Sequence, residues 1–129
     1  TACHAISYPL TAYFGIPHGH GVGFTLAAML KYNAQVTEED CLDPRGSDYV
    51  HETLQEIVLL LGVATLEEAT EKIQDLMRAI GLATRFRDMG LAESDLETIV
   101  THGFHPDRVT NNPRRLTPDA LRKMLKALY

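Results

Sequence analysis

The chain has 129 residues, of which 45% are hydrophobic and 22% are charged. This length and balance predict one globular domain and exclude a disordered or low-complexity chain. Seventeen acidic against 12 basic residues give a formal net charge of −5, which argues against a partner that is nucleic acid or an anionic membrane surface. No apolar run is long enough to span a bilayer.

Apolar residues recur with helical spacing along nearly the whole chain, so we predict an all-α fold, a bundle of about six helices. The first helix covers about Ala2–Tyr13, with Pro9 expected to bend it. The second runs from Gly19 or Gly21 to about Asn33. It carries almost no charge before Lys31 and should be buried on most sides; its apolar positions are Phe24, Leu26, Ala27, Leu30 and Ala34.

Helix start and stop signals divide the middle of the chain. After a polar loop over 35–47, Ser47 is the expected N-cap of a helix that runs through Leu61 to Gly62. Thr65 and Glu68 form a capping box for a helix that Gly81 ends. The apolar positions of that helix, three or four residues apart, are Leu66, Ala69, Ile73, Leu76, Met77 and Ile80.

The last third is predicted to hold two more helices. Residues 82–92 are irregular, with Phe86 and Met89 tucked into the core. Ser94 and Glu97 form a second capping box, for a short helix that ends near Gly103. After a loop at 111–113, Thr117 is the N-cap and Pro118 the first residue of a final helix to about Leu128.

The two cysteines, Cys3 and Cys41, lie in unlike contexts, and we interpret both as free thiols of a reducing, cytosolic protein. No charged region followed by an apolar run opens the sequence, so we expect no signal peptide. The sequence starts at Thr1, without Met, in what looks like structured sequence. We therefore expect a further segment upstream of Thr1.

Residues 1–33 contain His4, Tyr8, His18 and His20 in a mostly apolar, glycine-rich stretch. Buried imidazoles need hydrogen-bond partners or a metal. If the first two helices pair antiparallel, the rings of His4 and His18 can reach one point, and neutral imidazole is a common ligand of Zn(II) and Fe(II). Two ligands alone do not hold a metal firmly, so hydrogen bonding to backbone or water is the alternative.

The glycines of Gly19–Gly23 permit two interpretations. A dinucleotide-binding turn requires a preceding strand, and here a helix precedes. The alternative is that the glycines allow the helix backbone to pack close to a neighbour.

The segment from Cys3 to Gly19, CHAISYPLTAYFGIPHG, resembles the signature of the iron-containing (group III) alcohol dehydrogenases. Leu30–Asn33 is similar to the end of the family's buried helix, and Asn112–Thr117 is similar to the Asn-Pro-Arg-Pro-Leu-Thr that precedes its final helix. The resemblance covers essentially the whole chain. The first motif is long and specific, and the others support it.

This resemblance implies a two-domain oxidoreductase. An N-terminal domain of the same polypeptide would bind NAD or NADP, and this C-terminal helical domain, residues 1–129, would bind the metal, Fe(II) or Zn(II). His4 and His18 match the two metal ligands of the signature. The remaining Asp and His ligands, and all confidently assigned cofactor-binding residues, would lie upstream of Thr1.

One position departs from the family's pattern. Where many members have a second His near the nicotinamide, this chain has Tyr8, whose phenol is a weaker acid with an ordinary pKa near 10. Tyr8 is thus only a candidate catalytic residue. His20 takes no role from the resemblance.

Ser7–Leu10 with Gly19–Gly21 also resembles the phosphonoacetaldehyde-reductase branch of the family. The implied substrate is a small alcohol or aldehyde, and the isolated chain is expected to be inactive. In the isolated chain, apolar surface around the first two helices, uncovered without the N-terminal domain, would favour self-association. We also expect the intact enzyme to be a homo-oligomer. The alternatives are a Zn-dependent enzyme similar to glycerol dehydrogenase or dehydroquinate synthase, and a non-catalytic all-α interaction module.

Overall fold

The computed structural model describes residues 2–129, and within that range the protein is all-α, as the sequence predicts. The described residues form seven α-helices rather than about six. The additional one is a single turn at Pro106–Val109, too short to give an apolar period. The helices are α1 Ala2–Phe14, α2 His18–Asn33, α3 Ser47–Leu60, α4 Leu66–Ala79, α5 Leu96–Gly103, α6 Pro106–Val109 and α7 Pro118–Ala127.

Helices α1 and α2 form the hairpin at the centre of the fold. α1 continues through Pro9, and the bend expected there stays a prediction. The Thr11 hydroxyl donates to the Ile16 carbonyl at 2.8 Å and fixes the connection. α2 begins at His18, earlier than the predicted Gly19 or Gly21. Pro17 is its N-cap, with a ψ of 136°, the non-helical conformation that an N-cap residue adopts.

The two helices of the hairpin approach closely at Gly21. A β-carbon built on Gly21 would lie 3.1 Å from the Ser7 β-carbon and 3.3 Å from the Leu10 side chain. The expectation that glycine allows close packing is confirmed here, and the glycine segment is helical rather than a phosphate-binding turn. α1 also packs against α5, and α2 against α4.

Several predicted helix ends are confirmed. The Thr65 hydroxyl accepts from the Glu68 backbone N–H at 3.2 Å while the Glu68 carboxylate accepts from the Thr65 N–H. The Thr117 hydroxyl caps α7 by accepting from the Ala120 N–H at 3.1 Å. Gly62 and Gly81 have φ of +70° and +81°, the left-handed conformation that ends a helix at glycine.

Two predicted caps are wrong. Ser47 is the first residue of α3, not its N-cap, and its hydroxyl donates to the Glu38 carboxylate instead. The second wrong cap is the box predicted for Ser94 and Glu97. There the Asp95 carboxylate, rather than the Ser94 hydroxyl, accepts a hydrogen bond from the Ala92 backbone N–H at 2.8 Å. The short helical turn Glu93–Asp95 that precedes α5 moves Ser94 out of the capping position.

The main core joins α1, α2, α5 and α7 around fully buried side chains, and Phe86 from the segment after α4 enters it as predicted. Its ring centroid lies 4.4 Å from that of Phe24. Met89 packs against the same core. A smaller cluster of Val36, Val50 and Leu54 lies beneath the loop between α2 and α3.

Some apolar side chains expected in the core are exposed. Leu26 of α2 is 41% exposed, so this helix is less covered than predicted. Tyr8 and Tyr13 of α1 are also exposed, in line with the apolar surface expected around the first two helices. The most exposed large apolar side chains lie elsewhere, on α3, on α4 and at the residue that follows α4: Leu59, Leu60, Leu76 and Ile80.

A buried amide pair links the end of α2 to the loop before α7. The Asn33 amide donates to the Asn112 side-chain oxygen at 3.2 Å, and the Asn112 amide donates back to Asn33 at 2.7 Å and to the Arg114 carbonyl at 2.7 Å. These contacts fix the end of α2 that is farthest from His18. Within residues 2–129, no helix combines the length and apolar character that a bilayer crossing requires.

Candidate metal site

The start of α2 faces α1 and brings two predicted ligands together. The ring centroids of His4 and His18 lie 5.5 Å apart, with the ring planes tilted by 58°. Both residues are exposed. The pair is therefore accessible to an ion or to another domain.

Ser7 lies beneath this pair and determines which nitrogen of His18 is available. The buried Ser7 hydroxyl donates to the His4 carbonyl at 2.7 Å. Its oxygen also lies 2.9 Å from His18 Nδ1. Because the single hydroxyl proton is already used, His18 must donate from Nδ1 to the Ser7 oxygen. Neutral His18 then carries its lone pair on Nε2, in the state that binds a metal.

Tyr8 lies beside the pair and not between the two imidazoles. Its ring stacks on His18 with centroids 5.6 Å apart and planes within 22°, and the side chain is 48% exposed. The guanidinium carbon of Arg108 lies 4.8 Å from the centroid of the Tyr8 ring. The surface here thus continues from His4 through His18 and Tyr8 to Arg108.

His20, the third histidine of the glycine-rich stretch, has a structural partner. Its Nε2 lies 2.8 Å from the Ala83 carbonyl, to which it donates. This bond ties the start of α2 to the segment between α4 and α5. His20, to which the sequence assigned no role, is thus satisfied by a hydrogen bond to backbone.

The cysteine beside His4 is not positioned as a ligand. Cys3 is buried, and desolvation raises the pKa of its thiol despite a hydrogen bond with Thr25 that acts in the opposite direction. A protonated thiol is a poor metal ligand. Cys3 and Cys41 are both free thiols, as predicted.

The imidazoles of His4 and His18 could supply two of the ligands that a metal site needs. Two imidazoles, one with its tautomer fixed, are appropriate ligands for Zn(II) or Fe(II), which need further protein ligands. Among residues 2–129 there is no group of three or more His, Cys, Asp or Glu side chains arranged to hold an ion. The residues present therefore fit a metal whose other ligands come from outside this part of the chain.

Sequence reasoning missed Ser7 and Arg108. Ser7 differs from other helical serines only through its contact with His18, eleven residues away, for which the sequence gives no signal. Arg108 approaches Tyr8 because α6 packs against α1. A single sequence does not show that long-range contact.

Known proteins resemble this chain over nearly its whole length. The sequence model described as "Fe-containing alcohol dehydrogenase family, C-terminal" matches residues 1–129. The phosphonoacetaldehyde reductase of Streptomyces viridochromogenes is 35% identical over 97% of this chain and 30% of its own length. The lactaldehyde reductase of Escherichia coli K12 is 26% identical over 88% of this chain and 28% of its own length.

Solved structures show the same fold. The sulfoacetaldehyde reductase of Bifidobacterium kashiwanohense, in complex with NAD+, has a TM-score of 0.72 and 29% identity, over 99% of this chain and 30% of the other. A 1,3-propanediol oxidoreductase at 22% identity has a TM-score of 0.69, over 99% of this chain and 32% of the other. The chain thus spans about 30% of the length of these relatives. By sequence and fold, the chain belongs to the Fe-containing alcohol dehydrogenase family and matches its C-terminal part.

Proposed function

We propose that this chain is the metal-binding domain of an NAD(P)-linked aldehyde reductase or alcohol dehydrogenase, with cytoplasmic location. The observation that carries the proposal is the pair His4 and His18, 5.5 Å apart, with Ser7 accepting from His18 Nδ1. Family membership favours this function over a non-catalytic interaction module.

His4 and His18 would hold Fe(II), with Zn(II) as the alternative ion. The chemistry supplied by the bound groups is Lewis-acid polarisation of a carbonyl or alcohol oxygen and hydride exchange with the nicotinamide. In the overall reaction, an aldehyde takes up one hydride and one proton and becomes an alcohol, and the reduced nicotinamide becomes oxidised. Tyr8, stacked on His18 and partly exposed, is a candidate to hold or pass that proton.

The remaining ligands and the nucleotide site are proposed to come from an N-terminal domain of the same polypeptide. The relatives support this, because the chain accounts for only about 30% of their length. With two ligands and no nucleotide domain, residues 1–129 alone should bind metal weakly and have no dehydrogenase activity. We also propose that the intact enzyme is a homo-oligomer.

For the substrate we propose a small aldehyde that carries an anionic tetrahedral group. Phosphonoacetaldehyde and sulfoacetaldehyde, named for two relatives with 35% and 29% identity, share this chemistry.

The test uses the intact polypeptide that contains this chain. His4→Ala and His18→Ala should each lower the metal content, measured by mass spectrometry of the purified protein, and turnover with NADH or NADPH should fall at least 100-fold, since a ligand is lost. His51→Ala on the exposed face of α3 is the matched control and should change neither. Full metal content and turnover in both site variants would show the assignment to be wrong.

A further inference from the structure

A groove of about 630 Å³ lies between the C-terminal half of α2 and α7. On α2 it begins at Ala28, ten residues beyond His18, or roughly 15 Å along the helix axis. The groove is therefore separate from the candidate metal site. Much of its lining is apolar and consists of Ala28, Tyr32, Ala120, Met124 and Ala127.

Three cations that line this groove have no ionic partner. Lys31, Arg115 and Lys123 are exposed, and none of residues 2–129 forms an ion pair with them. The acids among the lining residues, Asp40 and Asp119, each pair with another arginine, at 2.7 and 2.5 Å. This basic groove thus carries an excess of positive charge, although the net charge of the chain is −5.

Helix α3 has the opposite character. It contains Asp48, Glu52 and Glu56 and no lysine or arginine. The three carboxylates recur every four residues, so they lie along one face of the helix, and Leu59 continues that face three residues later. All four side chains are exposed, and within residues 2–129 the carboxylates take part in no ion pair. These four residues form an acidic face that ends in an apolar side chain.

The packing of α3 keeps the acidic face accessible. On its other side, Val50 and Leu54 pack with Val36 in the smaller core cluster. Because that contact holds the helix from one side only, the acidic face is presented as part of a fixed helix. Its exposure includes Leu59, of which 71% is accessible.

The neighbouring helix α4 is also acidic, but its charges are largely engaged. Asp75 pairs with Arg78, and Glu68 completes the capping box. Lys72 adds a cation to the same helix and donates to the Leu61 carbonyl. α3 is therefore the stronger electrostatic match for the basic groove.

The two surfaces also match in shape and length. Small residues such as Ala28 and Ala120 leave room for a second helix, and an amphipathic helix typically binds in a groove of this kind. From Asp48 to Glu56 the acidic face extends roughly 12 Å. Along α7, Lys123 follows the cap residue Thr117 by six residues, roughly 9 Å, so the charges of the two surfaces cover similar distances.

We propose that the basic groove of one copy of this chain binds the acidic face of α3 of a second copy. This inference rests on the proposal that the intact enzyme is a homo-oligomer, and it names the two surfaces that join the subunits. Opposite charges across the contact favour this partner and orient it. Because one copy contributes its groove and the other its helix, the contact is heterologous and repeats from copy to copy until the assembly closes.

The test reverses the charge of each surface in the intact polypeptide. The groove variant is Lys31→Glu with Lys123→Glu, and the helix variant is Glu52→Lys with Glu56→Lys. Light scattering after size-exclusion chromatography should give each variant a lower mass than wild type, with a dissociation constant raised by about 10-fold or more. Higher ionic strength should lower the mass of wild type in the same direction, because salt screens the contact.

An equimolar mixture of the two variants should regain the mass of the wild-type assembly. The groove variant keeps its acidic face, which fits the unchanged groove of the helix variant, and the two reversed surfaces also attract each other. The matched control is Glu67→Lys with Glu71→Lys, the same change at the same spacing on exposed positions of α4. This control should keep the wild-type mass, and it should not restore the mass of the groove variant. Urea unfolding checks that every variant is folded.

Cross-linking identifies the contact directly. A carbodiimide joins an amine to a carboxylate with which it is in contact, and mixing ¹⁵N-labelled with unlabelled wild type distinguishes links between copies from links within one. Mass spectrometry should find links between copies that join Lys31 or Lys123 to Glu52 or Glu56.

Absence of these links, or equal mass in wild type and both variants, would overturn the proposed contact. A lower mass in each variant without recovery in the mixture would mean that another partner, such as an N-terminal domain, covers the groove, and would also overturn it. The proposed function fails separately, because assembly is measured without substrate. A polypeptide that assembles and cross-links as expected but holds no metal would contradict the proposed function alone.

Discussion

Ser7 Oγ lies 2.9 Å from His18 Nδ1 and simultaneously donates its proton to the His4 carbonyl. One buried hydroxyl is thus connected to both residues of the candidate metal pair. It accepts from the ring of His18 and holds the backbone of His4. The arrangement selects the tautomer of His18 before any ion binds, and this preorganisation should strengthen the site.

Ser7→Ala should therefore weaken metal binding without removing a ligand. Loss of the group that orients a ligating histidine typically costs about 10- to 100-fold in metal affinity. Affinity would be measured in the intact polypeptide by competition with a chromophoric chelator. The matched control is Thr70→Ala in α4, which removes a buried hydroxyl that donates to the carbonyl three residues earlier, as Ser7 does. Equal metal affinity in wild type and Ser7→Ala would contradict a role for Ser7 in orienting His18.

Two glycines in one turn of α2 should respond oppositely to alanine. At Gly21 the new methyl group would lie 3.1 Å from the Ser7 β-carbon, so α1 must shift by a few tenths of an ångström. Overpacking of this kind costs about 1–3 kcal/mol. At Gly23 the nearest atoms, of the Met77 side chain, are 3.9 Å away, an ordinary contact. Gly23→Ala should instead stabilise the helix by about 0.5–1 kcal/mol.

Urea unfolding of the 129-residue chain would measure both effects as changes in midpoint at constant slope. The glycine pair provides its own control, since the substitution is identical and the positions are two residues apart. Destabilisation by both variants to the same extent would mean that helix packing at Gly21 is not the cause. Destabilisation by Gly21→Ala alone would confirm the close approach of α1 and α2.

Features that depend on neighbouring residues could be predicted from the sequence. The capping box at Thr65 and Glu68, the cap at Thr117 and the stops at Gly62 and Gly81 are confirmed because each acts within one turn of its helix. The same local reasoning is wrong at Ser47, where the Glu38 carboxylate from the preceding loop competes for the hydroxyl. A capping motif in the sequence shows which hydrogen bonds a side chain can form. Tertiary packing determines which of those hydrogen bonds it does form.

The candidate site was only partly predictable, for a related reason. The approach of His4 and His18 could be expected from pairing of two adjacent helices, whereas their proposed role as ligands rests on resemblance. The contact of Arg108 with Tyr8 and the amide pair of Asn33 with Asn112 span 79 or more residues of sequence. Their geometry depends on how α6 and the following loop pack on α1 and α2, for which one sequence has no local signal.

Acid should destabilise the junction between α2 and the loop before α7 through Asp40. Desolvation acts to raise the pKa of this carboxyl, but hydrogen bonds from Thr37 and Arg114 together outweigh it and hold the pKa below its ordinary value. Arg114 Nε lies 2.7 Å from the carboxylate, and its Nη1 donates to the Tyr32 carbonyl at 3.0 Å. The ionised carboxylate thus helps to join three segments of the chain.

The direction of the pH dependence follows from this depressed pKa. The stabilisation is fully present above the ordinary pKa of Asp, about 3.9, and is lost as pH falls from there through the lower pKa of the folded state. Asp40→Asn should lower the free energy of unfolding at pH 7 by about 1 kcal/mol, a value limited by solvent screening of a partly exposed ion pair. The difference between variant and wild type should shrink below pH 4 and vanish once both side chains are uncharged.

Urea unfolding at a series of pH values from 7 to 2 would measure this difference. Asp75→Asn is the control, because Asp75 and Arg78 form an exposed pair on one face of α4, with side chains 70% and 51% exposed. Such a pair contributes little, so its removal should change stability by no more than a few tenths of a kcal/mol at any pH. A difference between Asp40→Asn and wild type that stays constant from pH 7 to pH 2 would mean that the charge of Asp40 does not stabilise the junction.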